Sequence, residues 1–153
     1  MFCIPNSAII ITRRQAKSLS EQEEQKMTKI KMSVKRGTAV AKSDWQKTAT
    51  NYSVKLSFEG RTMTAQWWAG SLAGIPSLTD VISTLCLDSS SVDGVDSFEE
   101  WAENIGYDTD SREAERIYKA TVSQAKRFKK FIGQDYYSIL WMDENEIADW
   151  LKI

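Results

Sequence analysis

The stretch YSVKLSFEGRTMTAQW, residues 52–67, decides the fold of this 153-residue chain. Apolar and polar residues alternate on both sides of Glu59-Gly60, a dipeptide that suits a tight turn. Alternation with a period of two gives each strand one buried and one solvated face, which is typical of antiparallel strands. The stretch therefore predicts a β-hairpin, and a hairpin needs other elements packed on its apolar face to be stable in water.

Elements on both sides of the hairpin are expected to supply that packing. Upstream, the pattern around Gly37 predicts a third strand near residues 34–40. Downstream, the pattern becomes helical, and helices are predicted at about 78–87, 98–105, 111–132 and 135–151, the last interrupted near 143–145. Strands followed by helices indicate an α+β fold, here a small antiparallel sheet covered by about four helices.

Capping signals mark the ends of these helices. Ser77, Ser97 and Asp110 each precede a carboxylate by three residues, as in a capping box. Gly106 and Gly133 lie where left-handed C-terminal caps are expected. The segment SSSVDG, which follows the first helix at residues 89–94, is predicted as a turn-rich loop.

Residues 1–26 are expected to lie outside the folded domain, which spans residues 27–153. The apolar run Ile9–Ile11 is short and precedes Arg13-Arg14, the reverse of the order in a secretory signal. The codons for residues 23–26 can read GAGGAGCAGAAA, which contains a bacterial ribosome-binding sequence. Two interpretations stay open: a flexible N-terminal arm, or a stretch that natural translation omits by beginning at Met27 or Met32.

No stretch of the sequence approaches the roughly 18 apolar residues of a membrane span. We therefore expect a cytoplasmic protein, with no membrane among its partners.

The composition removes most enzyme classes. The chain has no histidine, and so no imidazole general base, no Ser-His or Cys-His nucleophile pair and no histidine-ligated metal. The two cysteines, Cys3 and Cys86, are too few for a disulfide framework or a zinc site of their own. Cys86 lies in an apolar helical stretch and is expected to be a buried thiol. No cofactor and no small-molecule substrate are expected.

The near-balance of 20 basic and 21 acidic residues hides a segregation along the chain. Residues 27–70 hold eight basic and two acidic residues, and residues 71–111 hold nine acidic residues and no basic one. Residues 112–133 hold seven basic and two acidic residues, and residues 134–153 hold one basic and five acidic residues. Such blocks describe electrostatic fields and indicate a macromolecular partner.

The helix predicted at 111–132 has two opposite faces. One face is mainly apolar and comprises Ala114, Ile117, Tyr118, Thr121, Val122, Ala125, Phe128 and Ile132. The other face carries five cations that lie within roughly 40° of a single line and span roughly 27 Å. We call these cations the basic stripe: Arg112, Arg116, Lys119, Lys126 and Lys130.

Several interpretations of the basic stripe stay open. Its length and sign suit a phosphate backbone or an acidic groove on a protein. A solvated helix face with no partner is the simplest alternative. The carboxylates of residues 71–111 offer a further one, because they are able to neutralise the stripe within the fold.

The acidic region between residues 71 and 111 also has more than one interpretation. Asp93 and Asp96 are candidate partner contacts, with their carboxylates standing in for nucleic acid phosphates. The residues from Asp108 onward do not match an EF-hand calcium-binding loop. The motif needs Asp or Asn at position 112 and Gly at position 113, where the chain has Arg112 and Glu113. A carboxylate-only magnesium nuclease stays as an alternative. The simplest interpretation is that these carboxylates are helix caps and turn residues.

The tryptophans divide into core residues and one candidate contact. Trp101, Trp141 and Trp150 fall in predicted helices and are expected in the core. Trp67 and Trp68 are adjacent in a strand, so their side chains point to opposite faces of the sheet. An outward Trp68 is either a binding contact or is covered by the N-terminal segment.

The run FEEWAENIGYDTDSREAERIY, Phe98–Tyr118, carries a resemblance to known proteins. With its flanking residues, it resembles short uncharacterised proteins carried by bacteriophages, prophages and plasmids. The resemblance covers roughly residues 34–133. The flanking residues are Pro76, Asp80, Val81, Leu85, Gln124 and Phe131–Gly133.

The resemblance implies an anti-defence protein, such as an anti-CRISPR protein, that occupies a surface of a defence complex. It brings no catalytic residue with it. We therefore expect a non-enzymatic inhibitor, encoded by a mobile genetic element, that binds a host defence protein or nucleoprotein complex in the bacterial cytoplasm. The alternative is a nucleic-acid-binding accessory or regulatory protein of a phage or plasmid.

Overall fold

The computed structural model describes residues 28–153, which form a three-stranded antiparallel sheet and a set of helices. The strands are β1 (Lys31–Arg36), β2 (Thr50–Phe58) and β3 (Arg61–Ala69). The helices are α1 (Asp44–Thr48), α2 (Leu78–Val92), α3 (Phe98–Ile105), α4 (Arg112–Ile132), α5 (Tyr136–Ile139) and α6 (Glu144–Leu151). The α+β fold is thereby confirmed. The predicted arm, residues 1–26, lies outside the described residues, as does Met27.

The hairpin of β2 and β3 is confirmed and extends two residues beyond each predicted end. Its turn residues, Glu59 and Gly60, both have positive φ angles, of 49° and 79°. Two successive positive φ angles match the type I′ turn, whose twist suits the flanking strands.

The third strand exists, but it lies at Lys31–Arg36 rather than near residues 34–40. The chain leaves the sheet at Gly37 because Asn51, a buried residue of β2, ties the following segment down. Its side-chain oxygen accepts a hydrogen bond from the Ala39 amide at 3.1 Å, and its side-chain nitrogen donates to the Trp67 carbonyl at 3.3 Å.

Two predictions about helix starts and ends need correction. Helix α2 continues to Val92, so most of the predicted loop at 89–94 is helical. The hydroxyls of Ser90 and Ser91 bond carbonyls three residues back, which satisfies polar groups inside the helix. Helix α4 is capped by Ser111 and not by Asp110.

The other caps mostly follow the sequence signals. Ser77 and Ser97 accept the expected amide hydrogen bonds, and Gly106 adopts the left-handed conformation. Gly133 has a positive φ angle of 77°, but its ψ angle of -139° is not that of a left-handed cap. The predicted interruption of the last helix is confirmed, since α5 and α6 are separate and Asp143 caps α6 in a capping box.

The inner face of the sheet forms the main hydrophobic core with α2, α5, α6 and the C-terminal half of α4. Phe128, Phe131 and Ile132 bring α4 into this core. A second, smaller cluster joins α3 to the N-terminal end of α4 through Trp101 and Ala114. Helix α4 therefore connects the two clusters along one side, as its apolar pattern predicted, although Ile117 is 39% exposed.

The tryptophan predictions are partly wrong. Trp101 is buried and Trp150 packs against the main core, as expected. Trp141 is 66% exposed, because α5 ends before it and the chain turns there toward α6. Cys86 is buried as expected, and burial raises the pKa of its thiol to about 12.

The contact between Gly37 and Asn51 gives a stability prediction. A Cβ atom at Gly37 would lie 1.9 Å from the side-chain oxygen of Asn51, so Gly37→Ala must displace Asn51 and break its hydrogen bonds. We expect the free energy of unfolding to fall by about 1–3 kcal/mol, measured by urea titration. Gly70→Ala is the control, since no atom lies within 4 Å of its added Cβ, and it should keep or slightly raise stability. Equal stability of the two variants would contradict this account.

Candidate functional site

The basic stripe lies on one exposed side of α4. All five of its residues fall within the helix and all five are exposed. Within residues 28–153, the ion pairs are Lys47–Asp44, Arg61–Glu59 and Lys152–Asp149, so no stripe residue pairs with a carboxylate. The carboxylates of residues 71–111 therefore do not neutralise the stripe through direct pairs in this part of the chain.

Helix α4 is held firmly against β3, which fixes the position of the stripe. Arg61 donates from Nε to the Phe131 carbonyl at 2.7 Å and from Nη2 to the Ile132 carbonyl at 3.1 Å. These are carbonyls of the last helical turn, which have no partner within the helix, and a cation there also suits the helix dipole. Arg127 makes a second link by donating from Nη1 to the Thr64 carbonyl at 3.0 Å.

The C-terminal half of α4 lines a shallow depression of about 680 Å³. Two stripe residues, Lys126 and Lys130, lie at this depression together with Arg127 and Lys129. No carboxylate of residues 28–153 lines it. Four cations at one concave surface form a favourable environment for phosphate or carboxylate groups of a partner.

Lys129 is fixed by two tyrosines of the following elements. Its ammonium group donates to the Tyr137 hydroxyl at 3.2 Å and lies 4.9 Å from the centroid of the Tyr137 ring and 5.8 Å from that of Tyr136. The hydrogen bond to Tyr137 is the largest cause of the raised pKa of Lys129, and the charge of Asp93 also raises this pKa.

The other predicted contact residues lie on different elements. Trp68 is half-buried on the outer face of β3, directly opposite Asn51 of β2. Asp93 is the half-buried C-terminal cap of α2, and Asp96 is exposed before the first residue of α3. No hydrogen bond or ion pair within the described residues joins them to the basic stripe. The other interpretation of Trp68, that the N-terminal segment covers it, concerns residues outside the described ones.

Most of the acidic region is a set of exposed caps and turns. Asp108 accepts a hydrogen bond from the Asp110 amide at 2.9 Å, and Glu100 accepts one from the Asp96 amide at 3.2 Å. Among residues 28–153, no three Asp, Glu, His or Cys side chains come together as a group that would hold a metal ion. The same residues include no helix with the length and apolar character of a membrane span.

Comparisons with protein-family models, curated proteins and solved structures returned no match to this chain. The functional argument therefore depends on the geometry and chemistry of its own residues.

Sequence reasoning missed Arg127 and Lys129, which lie beside the stripe rather than in it. Their position along the helix, one residue after Lys126 and one before Lys130, was visible in the sequence. The contacts that fix them, with Thr64 and Tyr137, join different elements and were not visible. A count of all cations in the last three turns would have identified both.

Asp88 in the acidic region gives a prediction about pH. Burial raises the pKa of this half-buried carboxyl, which means that the folded state disfavours its charged form. The resulting decrease in the free energy of unfolding is absent below the pKa of this carboxyl in the unfolded chain, about 3.9. It is complete above the pKa of the same carboxyl in the folded protein. Asp88→Asn should therefore raise the free energy of unfolding at about pH 7, and the gain should vanish toward about pH 3.

Urea titrations at the two pH values test this prediction. Glu103→Gln is the control, because Glu103 is an exposed residue of α3 and its replacement should change stability by less than about 0.5 kcal/mol. A gain for Asp88→Asn that is the same at both pH values would contradict the burial penalty.

Proposed function

We propose that this protein is a non-enzymatic inhibitor, encoded by a mobile genetic element, that binds a bacterial defence nucleoprotein complex through the basic stripe. The observation that carries the proposal is the stripe itself: five exposed cations on one side of a single helix, without a carboxylate partner among the described residues. A nucleoprotein complex offers phosphate oxygens and acidic protein surfaces that complement such a stripe.

The electrostatics of the stripe favour docking. The stripe cations have no ion pair with the described residues to lose when they meet an anionic surface. Their combined field also accelerates encounter with such a surface. Arg61 and Arg127 hold the helix in place, so the stripe is presented without rearrangement of α4.

A binding role also agrees with the shortage of catalytic groups. The chain has no histidine. The thiol of Cys86 is buried with its pKa raised to about 12, so it is protonated at neutral pH and cannot serve as a nucleophile. The choice of a defence complex in the bacterial cytoplasm as the target is part of the proposal, and it comes from the expected resemblance to small phage, prophage and plasmid proteins.

A plaquing experiment tests this function. The protein is expressed in bacterial strains that each carry one defence system, and phage plaquing is counted. Wild-type protein should restore plaquing on at least one strain. The triple variant Arg116→Glu, Lys119→Glu, Lys126→Glu should restore none there, because reversed charges repel the anionic surface. Circular dichroism and urea titration should show that the variant remains folded.

A matched variant shows whether the loss of inhibition comes from the stripe residues themselves or from the change in net charge alone. Lys42→Glu, Lys47→Glu and Lys152→Glu together make the same charge change at exposed positions off the stripe. Because the exposed pairs of Lys47 and Lys152 contribute little to stability, this control should fold and restore plaquing. Restoration by the stripe variant would remove the stripe from the mechanism, and restoration by neither wild type nor control on any strain would overturn the function.

The second candidate function is nucleic-acid binding as an accessory or regulatory protein. The depression on α4, with four cations and no carboxylate, favours it, because side chains of this kind contact phosphate oxygens without reading sequence.

This second function predicts a steep dependence of affinity on salt. Neutralisation of about five phosphates by the stripe gives a slope of about -4 to -5 for the logarithm of the association constant against the logarithm of salt concentration. Fluorescence anisotropy with labelled DNA and RNA measures this slope. A flat titration with both nucleic acids would eliminate the candidate.

A further inference from the structure

The solvent face of the sheet is a second cationic surface. Lys31 and Lys35 of β1 and Lys55 of β2 point to this face, since their strand neighbours Met32, Val54 and Leu56 are buried on the other. Lys55 pairs with Ser33, midway between the two lysines of β1. Strand spacings place its Cα about 8 Å from the Cα of each.

The other side chains on this face are uncharged. The outward residues that accompany the three lysines carry hydroxyl or amide groups, with Trp68 at one end of β3. They are Ser33, Ser53, Ser57, Thr62, Thr64 and Gln66, whereas Asn51 on the same side of the sheet is buried and bonded to Ala39 and Trp67. No carboxylate projects from the solvent face of the three strands.

This face is continuous with the depression on α4. A shallow groove of about 260 Å³ on the sheet is lined by Lys35, Lys55 and Thr64 among others. Thr64 also lines a groove of about 540 Å³ at the β3 edge, together with Arg127 and Lys130. Those two cations line the depression on α4 in turn.

In the part of the chain that the structure describes, no Asp or Glu residue lines any of the three grooves. We call this run of adjoining grooves the cationic track. It begins at Lys35 and Lys55 on the sheet, passes Arg127 at the edge of β3 and reaches Lys126 and Lys130 on the stripe. The bond from Arg127 to the Thr64 carbonyl spans the junction between sheet and helix.

The chemistry of the track favours double-stranded nucleic acid. Proteins that bind single strands stack bases on aromatic side chains, and Trp68 is the one aromatic residue on the solvent face of the three strands. Lysines interspersed with hydroxyl and amide groups match phosphate contacts, which bind a duplex without reading its sequence. Two cationic surfaces that meet at a strand edge can contact more phosphates than one helix face alone.

We infer that the cationic track is a binding site for the phosphate backbone of a nucleic acid duplex. Lys35 and Lys55 of the track, with Lys31 beside the track on the same sheet face, contact phosphates beyond the reach of the stripe. The inference rests on the proposed function, because it names the duplex of the nucleoprotein complex as the group that the protein contacts.

The test is a salt titration with a short fluorescein-labelled DNA duplex of mixed sequence, followed by fluorescence anisotropy between about 50 and 200 mM salt. The triple variant Lys31→Gln, Lys35→Gln, Lys55→Gln should bind more weakly. It should also reduce the magnitude of the salt slope by about 2 to 3, since each phosphate contact contributes about 0.9. The control Lys42→Gln, Lys47→Gln, Lys152→Gln removes the same charge elsewhere and should keep the wild-type slope. Urea titration checks that both variants are folded.

Four outcomes would overturn the inference. The first is a sheet-face variant with the wild-type slope and affinity. The second is a wild-type protein that fails to bind the duplex at about 50 mM salt. The third is tighter binding of the isolated single strand. The fourth is competition by poly-glutamate as effective as that by unlabelled duplex, which would indicate an acidic protein as the ligand. The proposed function is judged separately by the plaquing experiment, so failure of the inference is distinguished from failure of the proposed function.

Discussion

The attachment of α4 to the sheet is the constraint on which the rest of the structure depends. Phe128, Phe131 and Ile132 place the C-terminal half of this helix in the main core. Arg61 then bonds the carbonyls of Phe131 and Ile132, which the helix itself leaves without partners. Apolar burial sets which side of α4 faces inward, and the Arg61 contacts set where the helix ends against β3.

Fixing α4 in this way has an electrostatic consequence. The side opposite the core must face solvent, and it carries five cations that find no carboxylate among the described residues. Its neighbour β3 brings the solvent face of the sheet alongside, with three more lysines. The carboxylates of residues 71–111 lie instead on α2, α3 and the adjoining turns. The described residues thus present surfaces of opposite sign, and we propose that only the cationic one binds a polyanion.

Features encoded by local periodicity could be predicted from the sequence. The hairpin follows from the alternation on both sides of Glu59-Gly60, and the stripe follows from helical spacing within one element. Features that depend on contacts between distant elements could not. The position of β1 depends on Asn51 of β2, which ties down the chain after Gly37.

Local hydrogen bonds and contacts between distant elements account for the other differences between the sequence predictions and the structure. Hydroxyl bonds of Ser90 and Ser91 carry α2 through a segment whose composition suggested a loop. The exposure of Trp141 depends on where α5 ends. The cationic track joins residues far apart in the chain, such as Thr64 and Arg127, and no spacing in the sequence connects them.

The central claim is that the protein docks on polyanions through cations that have no carboxylate partner among residues 28–153, and a nuclear magnetic resonance titration tests it most directly. A 17.4 kDa chain labelled with nitrogen-15 suits this measurement, with a short DNA duplex as the probe. We predict chemical-shift changes concentrated on the α4 stripe and around Lys55 on the sheet. Changes confined to the acidic region around Asp93 and Asp96, or no changes at low salt, would contradict the account.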